Sequence, residues 1–217
     1  KYGFEGQILG VFPGGGGYLL QDYESYILPV NKRDIILVKG YQGRSGRAIQ
    51  VLQALMQIEN NLLKYKVIVF AADNEVEAYI LNNELEKKMN ITIYKKSQFL
   101  PHFEIIKLMG KALIYVGNSN SDGMPNTLLE AIIMGAFPIQ SNPGGASGEV
   151  ITHHKNGLLI EDFNSKDEIS QYVEEALTNT KLLEQAFKIN QTNLKPQFDR
   201  MTIQNQVISL YNKVLKD

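Results

Sequence analysis

From Asp34 onward the chain alternates two kinds of pattern. Short continuous apolar runs fall at residues 35–38, 67–70, 91–94, 113–116, 137–140 and 157–160. Runs of that length and purity read as strands buried on both faces. Between and after them, apolar residues recur every three to four positions, the mark of helices packed on one side. Helices are predicted over 47–59, with Ile49, Leu52, Leu55 and Met56 as the stripe, and over 75–89, 101–110, 125–135, 166–178, 181–191 and 202–215. Six strands alternating with helices predict βαβ units, and right-handed crossovers then give an α/β fold, a Rossmann-like doubly wound parallel sheet. Ligands of such sheets bind outside the carboxyl ends of the strands. Three glycine-bearing loops lie at such ends, after the first, fourth and fifth strands.

The loop after the fourth strand organises the rest. It runs Asp122-Gly123-Met124-Pro125-Asn126-Thr127-Leu128-Leu129-Glu130 and continues as an apolar stretch to Gly135. Pro125 suits the first helical position, because its missing N–H costs nothing there. Gly135 suits the stop. Leu128, Leu129, Ile132 and Ile133 form the buried stripe by their spacing. Asn126, Thr127 and Glu130 share the opposite side. Helical side chains lean toward the N-terminus, so Glu130 points back toward the Asp122 loop. Free N–H groups and the helix dipole attract phosphate. A carboxylate one turn in accepts hydrogen bonds from a pair of hydroxyls. A nucleoside diphosphate sugar carries both kinds of group. A surface helix with acidic residues near its start is the plain alternative for this stretch taken alone.

Composition narrows the classes. The chain has 217 residues, 44% hydrophobic and 21% charged, which is ordinary for a globular protein. A net charge of -1 gives no reason to expect nucleic acid. With no cysteine there is no disulfide, thiolate metal site or Cys nucleophile, and a reducing, cytoplasmic setting is expected. His102, His153 and His154 lack the spacing of a zinc motif, so no metal is expected, and all three read as structural or solvated. Tyr115, Tyr172 and Tyr211 read as core or half-buried residues. No apolar run approaches the roughly 18 residues of a membrane span. No signal-peptide pattern opens the chain, and its first residue, Lys1, reads as part of a longer protein.

The remaining loops supply candidate ligand contacts. After the first strand comes Lys39-Gly40-Tyr41-Gln42-Gly43-Arg44-Ser45-Gly46-Arg47. Its G-x-x-G-x-x-G spacing is not the dinucleotide fingerprint, and no acidic residue follows about 20 positions on to grip a ribose. Lys39, Arg44 and Arg47 could neutralise a diphosphate; a turn with solvated charges is the alternative. After the fifth strand, Gly144-Gly145 would let backbone N–H groups form a nest for phosphate or sugar oxygens, with Glu149 opening a short helix; an ordinary strand-to-helix loop is the alternative. The glycine run at 13–17 reads as a flexible connection or tight turn. No GK[ST] follows it, which argues against a P-loop.

Together these stretches resemble the C-terminal, donor-binding domain of retaining glycosyltransferases of the GT-B fold, family 4 (group 1). The family's E-G-x-P-x-x-x-x-E-A motif, followed after a strand by G-G and Glu, stands here as Asp122 to Ala131, then Gly144-Gly145 and Glu149. The resemblance covers residues 34–217, and implies that residues 1–33 are a linker and remnant of an N-terminal acceptor domain. It implies that Glu130 binds the ribose hydroxyls of the nucleotide. Met124, Asn126, Thr127 and Leu128 would offer backbone N–H groups, with the Thr127 hydroxyl, to the diphosphate and sugar, and Gly123 and Pro125 would complete that binding stretch. Asp122 would hold the sugar, one methylene shorter than the usual Glu. Arg44 or Arg47, with Lys39 and Gly40, would take the basic role after the first strand, where the usual G-R…K-G pattern is altered.

The resemblance further implies transfer of a sugar, with retention, from a UDP- or GDP-linked donor to a glycan or lipid-linked acceptor in polysaccharide or glycoconjugate synthesis. The acceptor, and any peripheral membrane contact, would come through the missing domain, so this stretch alone is expected to be inactive. Base recognition is expected around residues 96–99. The last helix, with Ile203, Val207, Leu210, Tyr211 and Val214 as its stripe, would cross back to the other domain. Two alternatives stay open: a nucleotide- or phosphosugar-binding module without catalysis, and a sugar-nucleotide epimerase of the same fold.

Overall fold

The computed structural model describes residues 15–215 and, before them, Gly3, Glu5, Gly6, Gly10 and Phe12. Its centre is a parallel sheet of six strands: β1 (Ile35–Lys39), β2 (Lys66–Ala72), β3 (Ile91–Lys95), β4 (Ala112–Gly117), β5 (Phe137–Ser141) and β6 (Leu158–Ile160). The strand order is β3-β2-β1-β4-β5-β6. Each expected apolar run is a strand, extended by a residue or more in most cases. Alternate side chains leave opposite faces of a strand. Ile36 and Val38 therefore join one cluster, and Ile35 and Leu37 the other. Both faces are covered, which is why the strands read as unbroken apolar runs.

One face carries α1 (Ala48–Gln57), α2 (Asn74–Asn82), α3 (Leu85–Lys88), α6 (Lys166–Thr178) and α7 (Thr180–Ile189). The other carries α4 (His102–Lys111) and α5 (Asn126–Ile133), the two helices that build the site. The chain closes with α8 (Arg200–Val214), capped by Asp199, whose carboxylate accepts from the Thr202 N–H at 3.0 Å.

Five expectations need correction. Glu149 ends a short 3-10 turn over Ala146–Glu149 rather than opening a helix. The single helix over 75–89 is broken. Glu84 takes φ +52° between α2 and α3, after the consecutive residues Asn82 and Asn83. Val76 and Ile80 continue one stripe, but buried Leu85 is out of phase with it, and the break rotates Leu85 into the core. Asn is a weak helix-interior residue, so the Asn82-Asn83 pair weakens the helix just before the left-handed Glu84. Pro125 is the residue before α5 rather than its first residue: its ψ of 123° is extended, and its carbonyl accepts from the Leu128 N–H at 3.0 Å. The helix expected over 181–191 gives way after Ile189 to a π-helical turn over Asn190–Leu194. Tyr211 is 68% exposed rather than half-buried; within α8 the buried residue is Ile203, near the start.

Residues 18–27 pack on the α4–α5 face, and Val30 crosses to the other face. Tyr18, Leu20, Tyr23, Tyr26 and Ile27 lie against its core cluster. Arg33 fastens this segment from within. Its guanidinium donates to the carbonyls of Ala112 (2.8 Å) and Met134 (2.9 Å), and its Nε to Leu28 (2.7 Å). Burial lowers its pKa to about 10. Of the glycine run, Pro13 and Gly14 lie outside the described residues. Gly16 and Gly17 take positive φ and lead into a bridge between Tyr18 and Asp199.

Candidate active site

The strand order reverses between β1 and β4, so the loops leaving their carboxyl ends part and open a crevice. Backbone bonds stitch the two loops together below it. The Arg47 N–H donates to Asn118 O at 3.0 Å, and the Asn120 N–H to Ser45 O at 2.9 Å. Two glycines make the first loop fit. A Cβ on Gly40 would stand 2.6 Å from Ala72 Cα, and one on Gly46 would stand 2.2 Å from Tyr41 O.

The helix α5 begins at this crevice. No side chain caps its first turn, so the Asn126 and Thr127 N–H groups stay available to a ligand, whereas the expected Leu128 N–H is taken by Pro125 O. The stripe Leu128, Leu129, Ile132 and Ile133 is buried as its spacing requires. Beside it, Thr127 Oγ1 accepts from the fully buried Tyr115 hydroxyl at 2.9 Å, which leaves the Thr127 O–H free to donate outward. Burial holds the Tyr115 pKa well above its ordinary value.

Glu130 is the most constrained charged group here. It is 6% exposed, and its Oε1 lies 2.8 Å from His102 Nε2. Burial raises its pKa, and the His102 hydrogen bond and the Lys39 charge oppose that rise. Lys39, the last residue of β1, answers to both carboxylates: burial lowers its pKa, while Asp122 and Glu130 draw it back up. Its ammonium sits 4.7 Å from the Tyr41 ring centre, and that of Lys96 sits 4.8 Å from the same ring. Lys96 also pairs with Asp73 at 3.1 Å. Tyr18 and Tyr23 approach from the N-terminal segment, close enough for the Glu130 charge to help raise both of their pKa values.

The structure therefore brings Glu130, Thr127, Lys39, Asp122 and the start of α5 around one crevice. Asp122 and Gly123 are exposed in the loop. The Gly144–Gly145 turn adjoins them: a Cβ on Gly144 would lie 3.6 Å from Asp122 O, and Gly145 takes φ +82°. The two arginines differ from Lys39. Arg44 is exposed. Arg47 is turned onto its own loop, donating to Gly46 O at 2.6 Å and Gly43 O at 3.0 Å. Met124, Asn126 and Glu149 line a separate groove of about 850 Å³ that runs toward Phe198 and Ile203. A smaller hollow of about 440 Å³ is lined by Gly43, Asp73, Lys96 and Ser97, and so includes the start of the stretch expected near the base.

Sequence reasoning missed His102. Its ring contacts a residue 28 positions away, and no periodicity marks such a pair. The available signal was topological: the helix after β3 begins at the carboxyl end of the sheet, as α5 does. Among the described residues no group of His, Asp and Glu could hold a metal ion, and no helix is long and apolar enough to cross a membrane.

Known proteins are similar to this chain in sequence and in fold. The sequence model for glycosyl transferases group 1 matches residues 25–193. Two curated Bacillus subtilis relatives align with the chain. The putative glycosyltransferase YtcC is 24% identical over 145 residues, covering 66% of this chain and 35% of its own length. Spore coat protein SA is 25% identical over 142 residues, covering 65% and 37%. The chain thus spans little more than a third of the curated relatives it matches. Among solved structures, Anabaena Alr3699/HepE in complex with UDP superposes with a TM-score of 0.71 at 16% identity, over 91% of this chain and 56% of that one. The likeness is one of fold, and the sheet is one half of a GT-B architecture.

Proposed function

The chain belongs to the group 1 glycosyl transferases, and from that premise we propose that residues 34–217 bind the nucleoside diphosphate sugar of a retaining glycosyltransferase. The observation that carries the reading is Glu130: a buried carboxylate, held by an imidazole, beside an uncapped helix N-terminus and a lysine at the strand-order switch. No hydrophobic core needs that carboxylate, and its burial works against the charged form. A ribose diol would repay it with two O–H donors.

The roles follow from position. Glu130 takes the ribose hydroxyls. The first N–H groups of α5 and the Thr127 hydroxyl meet the diphosphate, and Lys39 neutralises it. Arg44 is free to swing toward the phosphates, while Arg47 holds the loop's shape through Gly43 and Gly46 and so supports Lys39 indirectly. Asp122 accepts hydroxyls of the sugar. Gly144 and Gly145 let backbone approach it. The donor in this reading is UDP- or GDP-linked and the setting cytoplasmic; the HepE complex with UDP supports the UDP-linked form.

In the reaction, the bond from the anomeric carbon to the diphosphate oxygen breaks as the bond to an acceptor hydroxyl forms on the same face. The hydroxyl proton passes to the departing phosphate. The chain's part is to stabilise charge gathering on the diphosphate with fixed N–H groups and Lys39. The acceptor, a glycan or lipid-linked sugar, would be held outside residues 34–217, and residues 1–33 would connect to that second domain. This chain alone would then bind donor without transferring it.

The test is product analysis on the full-length protein with a panel of UDP- and GDP-sugars. Transfer with the anomeric configuration retained is expected. Inversion of the donor sugar at one carbon would make it an epimerase. Binding with no diphosphate release from any donor would make it a binding module.

A further inference from the structure

We propose that His102 is a positioning residue that keeps Glu130 in place and ionised, so that the carboxylate can grip a ribose diol; this rests on the ribose role given to Glu130 above. The two groups come from different helices. Glu130 lies in α5, and His102 is the first residue of α4, directly after Pro101, whose fixed φ sets where the helix begins. The contact is 2.8 Å, a good hydrogen-bond length. An ionised carboxylate can only accept, so the imidazole Nε2–H donates.

Three observations make this more than a chance contact. The Glu130 side chain is 8% exposed and the His102 side chain 59%, so the imidazole closes on the carboxylate from the solvent side and is not itself a core residue. Burial pushes Glu130 toward its neutral form, and the hydrogen bond from His102 is the largest of the influences that oppose it, ahead of the Lys39 charge. A neutral carboxyl would offer the ribose one donor and a weaker acceptor in place of a charge-assisted acceptor. Finally, the contact is made on Oε1. A carboxylate has about four lone-pair positions on two oxygens. The imidazole fills one, leaving Oε2 and the rest of Oε1 for two hydroxyls. His102 thus fixes the rotamer of Glu130 without consuming its capacity.

The charges around the pair fit that role. Lys39 is the cation on the β1 side, Asp122 lies beyond it, and Tyr18 and Tyr23 stand on the N-terminal side, all within electrostatic reach of one or other carboxylate. Lys39 is placed to neutralise phosphate. His102 keeps its N–H on Glu130 when phosphate occupies Lys39.

The experiment is a calorimetric titration of UDP, and of GDP as a second probe, into the chain and its His102→Ala, His102→Gln, Glu130→Ala and doubly substituted forms. UDP lacking both ribose hydroxyls serves as control. His102→Ala is expected to weaken the ribonucleotide about tenfold, the scale of one hydrogen bond to a charged group. His102→Gln, whose amide N–H reaches the same oxygen, should recover most of that loss. On a Glu130→Ala background His102→Ala should add nothing, and toward the dideoxy analogue it should have no effect. The proposal is overturned if His102→Ala tightens binding, leaves it unchanged, or weakens the dideoxy analogue equally. If Glu130→Ala itself leaves ribonucleotide affinity unchanged, the ribose role fails as well. A loss in Glu130→Ala with none in His102→Ala removes His102 alone. Thermal melts of each variant separate these outcomes from misfolding.

Discussion

Glu130 and Asp122 stand at the two ends of one motif, and the fold treats them differently. Glu130 is buried, paired with His102 at 2.8 Å and faced by Lys39. Asp122 is exposed in a loop bordered by the equally exposed Gly144 turn. One end of the crevice is therefore built before any ligand arrives. The other end, at Asp122, stays open to solvent. The difference teaches where binding free energy should be found. A preformed carboxylate spends little ordering free energy on its ligand, whereas an exposed loop must be ordered at the moment of binding.

The sharpest way to break the comparison is to remove each carboxylate in turn. In the full-length protein, Glu130→Ala is expected to cost about 1.5–3 kcal/mol in donor kcat/KM, the range for a lost charge-assisted hydrogen bond. The assay follows diphosphate release, and an unchanged value would remove the ribose end from the account. Next in size is Lys39→Met, expected to weaken diphosphate binding by about 1–2 kcal/mol and to flatten its salt dependence. Arg44→Ala should do less, because that side chain is exposed and must be ordered on binding. A larger loss from Arg44 would reverse the assignment of the principal cation.

Asp122→Ala comes third. It should weaken UDP-glucose by about 1 kcal/mol while leaving UDP nearly unchanged. Equal losses would take Asp122 out of the sugar end. The smallest effect concerns stability. Burial raises the Glu130 pKa above its unfolded value, so the folded chain holds that proton more tightly. Stability from this group is greatest below the usual carboxylate range and falls as pH rises through it toward the raised value. Glu130→Gln removes the charge, so its Tm at pH 7 should exceed that of the parent, by about 2–4 °C for each 1 kcal/mol gained. The gain should fade near pH 4. A lower Tm at pH 7 would mean that the ion environment stabilises the fold after all.

The sheet and the start of α5 were legible because burial on both faces leaves a direct trace. A run such as Ile35-Ile36-Leu37-Val38 has few other readings, and the Leu128, Leu129, Ile132, Ile133 stripe fixes which side of α5 must face inward. What stayed hidden was carried by single contacts rather than by period. The Asn82-Asn83 break depends on where Leu85 must go. The packing of residues 18–33 depends on scattered tyrosines and one buried arginine bonded to carbonyls. The basic loop was legible as basic, but the sequence does not say that Arg47 is turned onto Gly43 and Gly46 while Lys39 faces both carboxylates. His102 was hidden for the same reason: its partner lies on another helix.

The most direct test is calorimetric titration of this chain with UDP, GDP and ADP, each repeated on Glu130→Ala. The account predicts that one diphosphate binds and that the substitution removes most of its affinity, which would also identify the base. If a diphosphate binds equally well to both forms, or if none binds this chain or the full-length protein at millimolar concentration, the crevice at α5 is not a nucleotide site and the account is contradicted.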